Sequence, residues 1–172
     1  MTNDMRPHSA GQLDIAALGE RLIVMTRAFA APPSLVFDAL VTPSLLLQWM
    51  HGPAGWRMVD CAFDAIEGGR YRYSWRGPDG QSMTAKGVVR EIRRPTRLVT
   101  VELFDDNWTG GEVTAVTELT AAGAGTLLTN TGTYPSRADR DAALASGMER
   151  GVAASYTHLD RLLADYHQGA QE

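Results

Sequence analysis

The chain has 172 residues, of which 44% are hydrophobic and 21% charged, the composition of an ordinary globular domain with a sizeable core. Its formal net charge of −4 excludes nucleic acid as the main partner, because no basic excess is present to displace counterions from phosphates. The single cysteine, Cys61, excludes an internal disulfide and fits a reducing compartment.

No stretch of the chain has the apolar length of a bilayer span, and the N-terminus lacks the apolar run of a secretory signal. We therefore expect a soluble, cytoplasmic protein without membrane insertion. Residues 1–19 lack sustained periodicity and predict a loosely ordered extension, with partial order around Leu13 to Leu18. Residues 20–168 contain no linker, repeat or low-complexity tract and predict a single domain.

The next segments are predicted from β-forming residues, helix signals and the turns between them. A first strand over residues 21–29 ends at Pro32-Pro33. Two short helices follow, one over residues 34–40 and one after Thr42-Pro43, where proline suits the first turn. Turn residues then separate six further strands, which cover residues 56–64, 70–76, 83–92, 97–104, 113–120 and 125–133.

The last segment, from Ser136 to His167, predicts a long helix. Ser136 is a typical N-cap, and Asp139 adds the negative charge that the first turn of a helix favours. Apolar residues recur at spacings of three and four, so they share one face of the helix: Met148, Val152, Tyr156, Leu159, Leu163 and Tyr166.

Two glycines interrupt this helical pattern, because each glycine disfavours a helix interior. Gly147 and Gly151 leave two alternatives open. Either a kink near Gly147 splits a short first helix from a longer second one, or another backbone or a ligand approaches the helix closely at this point. Charged residues such as Asp160 fall mostly outside the apolar face.

This order of elements predicts an α+β protein. Consecutive hairpins build a curved antiparallel sheet of seven strands, and only the final helix is long enough to cover its inner face. The two short helices lie between the first and second strands of the sheet. A curved sheet that grips a helix need not close perfectly, so we expect a cavity between them.

Several short segments occur in a characteristic order between Arg21 and Leu163: Ala31-Pro32, Val36-Phe37, Gln48-Trp49, Gly52-Pro53, Gly68-Gly69-Arg70-Tyr71, Gly87, Glu91-Ile92, Pro95, Arg97-Leu98, Tyr134-Pro135-Ser136, Arg140-Asp141, Gly147-Met148 and Gly151. In these segments the chain resembles the START-like superfamily (SRPBCC, the helix-grip fold), in the branch named after the activator of the heat-shock-protein-90 ATPase. The shared residues are mostly turns and core, so the resemblance specifies the fold and not the function.

The resemblance implies a deep hydrophobic cavity between the sheet and the long helix. Wider members of the superfamily bind lipids, hormones or polyketides, and some of them cyclise or dehydrate these molecules. Many bacterial members have no assigned activity.

Aromatic residues are the main candidates for the wall of this cavity. The segment Arg70 to Arg76 alternates most cleanly, with Tyr71, Tyr73 and Trp75 on one face. The alternation alone indicates that these rings belong to the hydrophobic core. The resemblance implies instead that they line a cavity. The residues that we expect to contact a ligand are Trp49, Trp56, Tyr71, Tyr73, Trp75, Glu102, Phe104, Thr117, Asn130, Met148, Val152 and Tyr156.

Polar residues at inward positions suggest that one end of the cavity is polar. If Leu128 faces inward then so does Asn130, and if Leu119 faces inward then so does Thr117.

Two arguments conflict at Glu102. Alignment to the superfamily places this side chain on the inner face with Leu98 and Phe104, whereas bare alternation buries its neighbours Val99, Val101 and Leu103 and sends Glu102 to solvent. A one-residue slip decides between the two arrangements, and we favour solvent on the alternation. If it is buried, Glu102 has a raised pKa and is a candidate acid or base.

Metal and cofactor sites are not predicted. The four histidines have no metal-binding spacing, and Cys61 lacks a CxxC partner and lies in an apolar strand, where a thiol is usually inert. Gly68-Gly69 joins two strands instead of opening a helix, so it is a hairpin turn and not a phosphate loop. We assign no metal, no cofactor and no catalytic residue.

Three functional hypotheses remain. The first is a binding module for a small hydrophobic molecule, monomeric or homodimeric. The second is a polyketide cyclase or dehydratase, for which Tyr71, Tyr73, Glu102 and Asn130 are the candidate polar groups. The third is a chaperone-accessory interaction domain, although no sequence feature singles out a protein-binding surface.

Overall fold

The computed structural model of the protein describes residues 11–169. Along the chain its elements are β1 (Asp14–Leu18), β2 (Leu22–Phe29), α1 (Pro33–Val41), α2 (Pro43–Trp49), β3 (Arg57–Phe63), β4 (Arg70–Arg76), β5 (Ser82–Arg93), β6 (Arg97–Phe104), β7 (Val113–Ala122), β8 (Gly125–Thr133), α3 (Arg137–Ala145) and α4 (Met148–Gly169). Within this part of the chain no helix is both long and apolar enough to cross a membrane.

The strands form one antiparallel sheet in the order β1-β2-β8-β7-β6-β5-β4-β3. The α+β helix-grip architecture is therefore confirmed, with α1 and α2 between the first two long strands and α4 as the long C-terminal helix. Each of the seven predicted strands is present, and β4, β6 and β8 have the predicted bounds. Turn chemistry and alternation were sufficient to place them.

The strand count differs from the prediction, because β1 is an eighth strand. Its five residues pair with the first five residues of β2, from Asp14 opposite Thr26 to Leu18 opposite Leu22. The segment is short and carries no clean alternation, so only the neighbouring edge of β2 reveals it as a strand. It lies inside the predicted N-terminal extension, of which residues 1–10 are outside the described residues.

The final helical segment is divided at Gly147, as the kink alternative predicted. Gly147 has a φ of +81°, a left-handed conformation that glycine adopts without steric cost, and it separates α3 from α4. Ser136 caps α3, with its hydroxyl accepting a hydrogen bond from the Asp139 amide at 3.1 Å. The other alternative also holds, because a Cβ at Gly151 would lie only 3.1 Å from Cδ of Pro53 in the loop after α2.

The apolar face of α4 packs on the sheet over most of the predicted stripe. Tyr156, Leu159 and Leu163 are buried, and Leu162 joins them. Tyr166 was wrongly assigned to the buried face, since it is 46% exposed. All residues after Leu163 in this helix are exposed, so its last turns extend beyond the core that the sheet provides.

A buried ion pair ties the sheet to this helix. Arg27 on β2 is 2% exposed and donates two hydrogen bonds to the carboxylate of Asp160 on α4, at 3.0 and 2.5 Å. The guanidinium also lies 4.7 Å from the centroid of the Phe29 ring. Asp160 falls outside the apolar stripe, as predicted, but its pairing with Arg27 was not predicted.

We predict that Asp160→Asn lowers the free energy of unfolding, because it leaves the Arg27 guanidinium buried without an opposite charge. Loss of one partner of a fully buried pair costs about 3–5 kcal/mol, and because the Asp160 side chain is 39% exposed we expect about 2 kcal/mol. Chemical denaturation measures the difference. The matched control is Asp165→Asn on the exposed part of the same helix, which should change stability by less than about 0.5 kcal/mol. Equal effects of the two substitutions would contradict a structural role for the pair.

Candidate functional site

A cavity of about 600 Å³ lies between the sheet and α4. All of the residues predicted to contact a ligand are in its wall: Trp49, Trp56, Tyr71, Tyr73, Trp75, Glu102, Phe104, Thr117, Asn130, Met148, Val152 and Tyr156. The structure thus brings them together, whereas their contact with a ligand stays a prediction.

The cavity forms because some residues on the inner face of the sheet have small side chains. One row of directly opposed residues crosses four strands, from Thr100 on β6 through Ala115 and Gly132 to Ile23 on β2. All four residues line the cavity. Because two of them are alanine and glycine, α4 cannot reach the sheet at this row and a space remains.

A band of aromatic rings forms one wall. Tyr71 and Tyr73 on β4 have ring centroids 4.9 Å apart, and Tyr71 stacks on Phe63 at 5.1 Å. The band continues from Tyr73 to Trp75 and from there to Phe104 and Trp108. The clean alternation of β4 therefore predicted the direction of its three rings correctly. Offset and edge-to-face pairs of this kind add to the free energy of burial and hold the wall rigid.

The mouth of the cavity can be recognised from the lining residues that are exposed. These are Pro53, Asp106 and Ser146, from three different connections between elements, and Ser82, the first residue of β5. Pro53 and Ser146 lie beside the N-terminal end of α4. The rest of the lining is buried or half-buried, so a ligand would enter at this end and lie along the sheet.

His51 lies at the same end and was not among the predicted site residues. Its ring is 5.2 Å from that of His158 on α4, and its Nδ1 accepts a hydrogen bond from the Met58 amide at 3.2 Å. Burial and the neighbouring His158 lower the pKa of His51, which favours its neutral form. The two histidines are far apart in the sequence, and only the fold brings them together.

Glu102 faces the cavity, so the expectation from bare alternation that it points to solvent is wrong. Its strand, β6, directs Leu98, Thr100, Glu102 and Phe104 inward. The residues between them are half-buried on the opposite face, and that second apolar face misled the alternation argument. The side chain of Glu102 is half-buried, and its remaining accessible surface is part of the cavity wall.

Tyr71 is the hydrogen-bond partner of Glu102. Its hydroxyl donates to the Glu102 carboxylate and accepts from the hydroxyl of Thr100. Burial raises the pKa of Glu102 from 4.5 to about 7, and the bond from Tyr71 opposes this rise only in part. Burial and the nearby Glu102 also raise the pKa values of Tyr71 and Tyr73, so both phenols stay protonated.

Gly87 makes this contact possible. Tyr71, Gly87 and Glu102 stand directly opposite one another on β4, β5 and β6. A Cβ at Gly87 would lie 2.2 Å from Cζ of Tyr71, so the tyrosine ring lies across the position where a side chain would stand. The absence of a side chain on the middle strand therefore lets a residue of β4 reach a residue of β6.

A second polar pair occupies the inward row of Leu98, two inward rows from Glu102 along β6. Nδ2 of Asn130 donates to Oγ1 of Thr117 at 2.8 Å, and Thr117 stands opposite Leu98 on β6. The predicted inward directions of Asn130 and Thr117 are confirmed, as is that of Leu128. The sheet side of the cavity thus combines a carboxyl group, a phenol and an amide in an otherwise apolar wall.

Thr100, Trp108 and Tyr134 are among the other lining residues that the sequence analysis missed. The inward direction of Thr100 follows at once from that of Glu102, two residues along the strand. Trp108 lies in the loop after β6, for which the sequence carries no directional signal, and its indole nitrogen is buried without a hydrogen-bond partner. The Tyr134 hydroxyl donates to Sδ of Met148 at 3.6 Å.

Neither a metal site nor a reactive thiol is found in the part of the chain that the structure describes. No three histidine, cysteine, aspartate or glutamate residues within 11–169 are grouped so that they could hold a metal ion. Burial raises the pKa of the Cys61 thiol to about 11, which keeps it in its unreactive protonated form at neutral pH.

The model of the family described as Activator of Hsp90 ATPase homolog 1-like protein (AHSA1) matches residues 30–164. Among curated proteins no sequence matches the chain significantly.

Among solved structures, a protein from Rhodobacter sphaeroides is 34% identical, with a TM-score of 0.84 over 90% of this chain and 99% of that one. A protein from Mycobacterium smegmatis is 24% identical, with a TM-score of 0.78 over 88% and 97% of the two chains. An AHSA1-like protein from Aeromonas hydrophila, at 16% identity, has a TM-score of 0.64 over 81% and 93% and shares the fold alone. With more than half of its length matched by the family model, this chain belongs to the Activator of Hsp90 ATPase homolog 1-like family.

Proposed function

We propose that the protein binds a small hydrophobic molecule in the cavity between the sheet and α4. The cavity volume of about 600 Å³ carries this proposal. It falls within the range of about 300–1,000 Å³ that is typical of sites for small organic ligands. Burial of such a ligand against the aromatic band would supply most of the free energy of binding.

The polar groups of the wall would orient this ligand. Glu102 and Tyr71 stand on one inward row and the Asn130–Thr117 pair on another, while the helix side offers Met148, Val152 and Tyr156. Few polar groups in a mostly apolar wall are typical of a site that selects its ligand by position. The ligand should therefore be hydrophobic along most of its length and carry a polar group at one end.

Acid–base catalysis is the second candidate function, and the burial of Glu102 favours it. A general acid or base works best when its pKa lies near the working pH, and the pKa of Glu102 is raised to about 7. A cyclase or dehydratase acting on a polyketide-like substrate could use this carboxyl group to move a proton. The third hypothesis, a chaperone-accessory domain, gains no support from the contacts of residues 11–169.

We predict that filling the cavity weakens binding. Ala115→Leu places a larger side chain in the row that keeps α4 away from the sheet, so the affinity for the neutral dye N-phenyl-1-naphthylamine should fall at least about tenfold. Fluorescence titration measures the affinity. Val116→Leu is the matched control, because the next residue of β7 points away from the cavity and its replacement should leave the affinity unchanged. Unaltered dye binding by Ala115→Leu would contradict the proposed site.

The raised pKa of Glu102 predicts a pH-dependent cost to stability. Because its folded-state pKa of about 7 lies above the unfolded value of 4.5, the folded protein binds the proton more tightly than the unfolded chain. Stability is therefore highest below the unfolded value and is lost as the pH rises through about 7. Glu102→Gln removes this loss, so the difference in free energy of unfolding should shift by about 3 kcal/mol in favour of the variant between about pH 4 and pH 8.

The pH prediction is checked by denaturation of both forms across that range. Glu67→Gln, which replaces an exposed carboxylate in the turn before β4, serves as the control and should follow the wild type at every pH. A constant difference between Glu102→Gln and the wild type would show that Glu102 titrates normally.

The two candidate functions differ in the expected effect of the same substitution on turnover. If the protein is an enzyme, Glu102→Gln should lower turnover of a polyketide analogue by about a hundredfold or more, the usual scale for loss of a positioned acid or base. If it is a binder, neither the wild type nor the variant should turn the analogue over, although both should bind it. Equal turnover by both forms would exclude Glu102 as the catalytic group.

A further inference from the structure

We infer that the ligand is a hydrophobic amine whose protonated nitrogen pairs with Glu102. The inference rests on the proposed function, because it names the chemical class of the molecule that occupies the same cavity. At Glu102 the cavity wall offers a carboxylate and aromatic faces to this end of the ligand, and its lining includes no lysine or arginine from residues 11–169.

The first argument is the balance of donors and acceptors. The Tyr71 hydroxyl already donates to Glu102, and Nδ2 of Asn130 already donates to Thr117. What remains free for a ligand at Glu102 is the acceptor capacity of its carboxylate, whereas Nε1 of Trp108, in the loop after β6, is a buried donor of the lining without a partner. A ligand group that meets the carboxylate must bring donors, and an ammonium group brings three.

The second argument is the charge around Glu102. Its surroundings are Tyr71 and Tyr73 from β4, Gly87 from β5, Val113 from β7 and Tyr134 from the segment before α3. None of these groups carries a positive charge. No lysine or arginine from the described residues lines the cavity, and Glu102 forms no ion pair with any residue of that part of the chain. A buried carboxylate needs a cation or a proton, and the described part of the chain places no cation beside it.

The third argument is the arrangement of rings beside the carboxylate. Tyr71, Tyr73 and Phe63 lie within 6.4 Å of one another, measured between ring centroids. The faces of aromatic rings attract organic cations, and this attraction is stronger where water is excluded. A ligand carboxylate would instead meet the carboxylate of Glu102 and the electron-rich faces of the rings, so fatty acids and other anions are disfavoured.

The mouth of the cavity is compatible with a cationic ligand. Asp106 is the exposed acidic residue at the mouth, and His51 nearby is kept in its neutral form by its lowered pKa. The net charge of the whole chain is −4, which favours the approach of cations over that of anions.

A matched set of three ligands tests the inference: 2-(1-naphthyl)ethylamine, 2-(1-naphthyl)ethanol and 1-naphthylacetic acid. They share one hydrophobic body and differ in the polar end. Isothermal titration calorimetry at about pH 8 should show that the amine binds at least about tenfold more tightly than the alcohol, as a charge-assisted hydrogen bond would require. The acid should bind most weakly.

Glu102→Gln should remove the preference for the amine without removing the cavity. We expect its affinity for the amine to fall to that for the alcohol, while the affinity for the alcohol itself changes less than about threefold. Glu67→Gln, the exposed control, should retain the preference of the wild type. Melting curves of each variant establish that it is folded before the ligands are compared.

Proton release on binding distinguishes pairing with Glu102 from binding at a purely hydrophobic site, which would release no proton. At about pH 6.5 a large fraction of Glu102 carries a proton, which it must lose to pair with an ammonium group. Calorimetry of the wild type in buffers of different ionisation enthalpy should therefore detect proton release with the amine and none with the alcohol. The release should be absent in Glu102→Gln.

Three outcomes would overturn the inference, and they show which part of it fails. An alcohol that binds as tightly as the amine, or an amine preference that survives Glu102→Gln, overturns the charge assignment and leaves the hydrophobic site intact. Failure of all three ligands to bind overturns the proposed function and this inference with it.

Discussion

The position of Glu102 depends on a constraint that acts across three strands. Antiparallel pairing sets Tyr71, Gly87 and Glu102 opposite one another, and the missing side chain at Gly87 lets the tyrosine ring bridge the middle strand. The carboxyl group is thereby held by its strand register and by a neighbour two strands away. A shift of one residue in β6 would send Glu102 to the outer face and bring Val101 or Leu103 inward. The polar character of the cavity is thus a property of the register.

Two ionisable side chains that face the interior, Arg27 and Glu102, are treated in opposite ways. Arg27 has a bidentate partner in Asp160 and an aromatic ring beside it, so its charge is balanced within the fold. Glu102 has a hydrogen bond from a phenol and no opposite charge among the described residues. A balanced buried charge serves the packing of a helix on a sheet, whereas an unbalanced one lowers stability and persists where a site needs it. This contrast supports the role proposed for Glu102 in ligand binding.

Most of the fold could be predicted from the sequence, because the turns and the alternation of β4 carry strong local signals. The apolar face of α4 and the kink at Gly147 could also be predicted, because the spacing of apolar residues and the position of a glycine are local features of the sequence. The direction of β6 was not, because both of its faces are apolar and alternation cannot distinguish them. Local sequence patterns determine which segments are helices or strands. Which face of a strand points to the core depends on its pairing with the neighbouring strands.

Contacts between distant segments set the second limit of prediction. Arg27 stands two residues from both Met25 and Phe29, so it shares their face of β2. The sequence therefore could have placed it on the buried face. Its partner Asp160 lies 133 residues further along the chain and could not be identified from the sequence. The same holds for His51 and His158 and for the unpaired indole of Trp108, whose neighbours come from other elements.

The pairing of β2 also separates the folding unit from the segment that the family model matches. The family model matches from residue 30 onwards, after β1 and β2 have ended. A fragment cut at that boundary would lose two strands of the sheet and Arg27, and it would expose the whole edge of β8, including its unpaired amide and carbonyl groups. Such an edge pairs readily with other chains. Boundaries for expressing this protein, or for grafting its cavity onto another scaffold, should therefore follow the strand pairing and begin before Asp14.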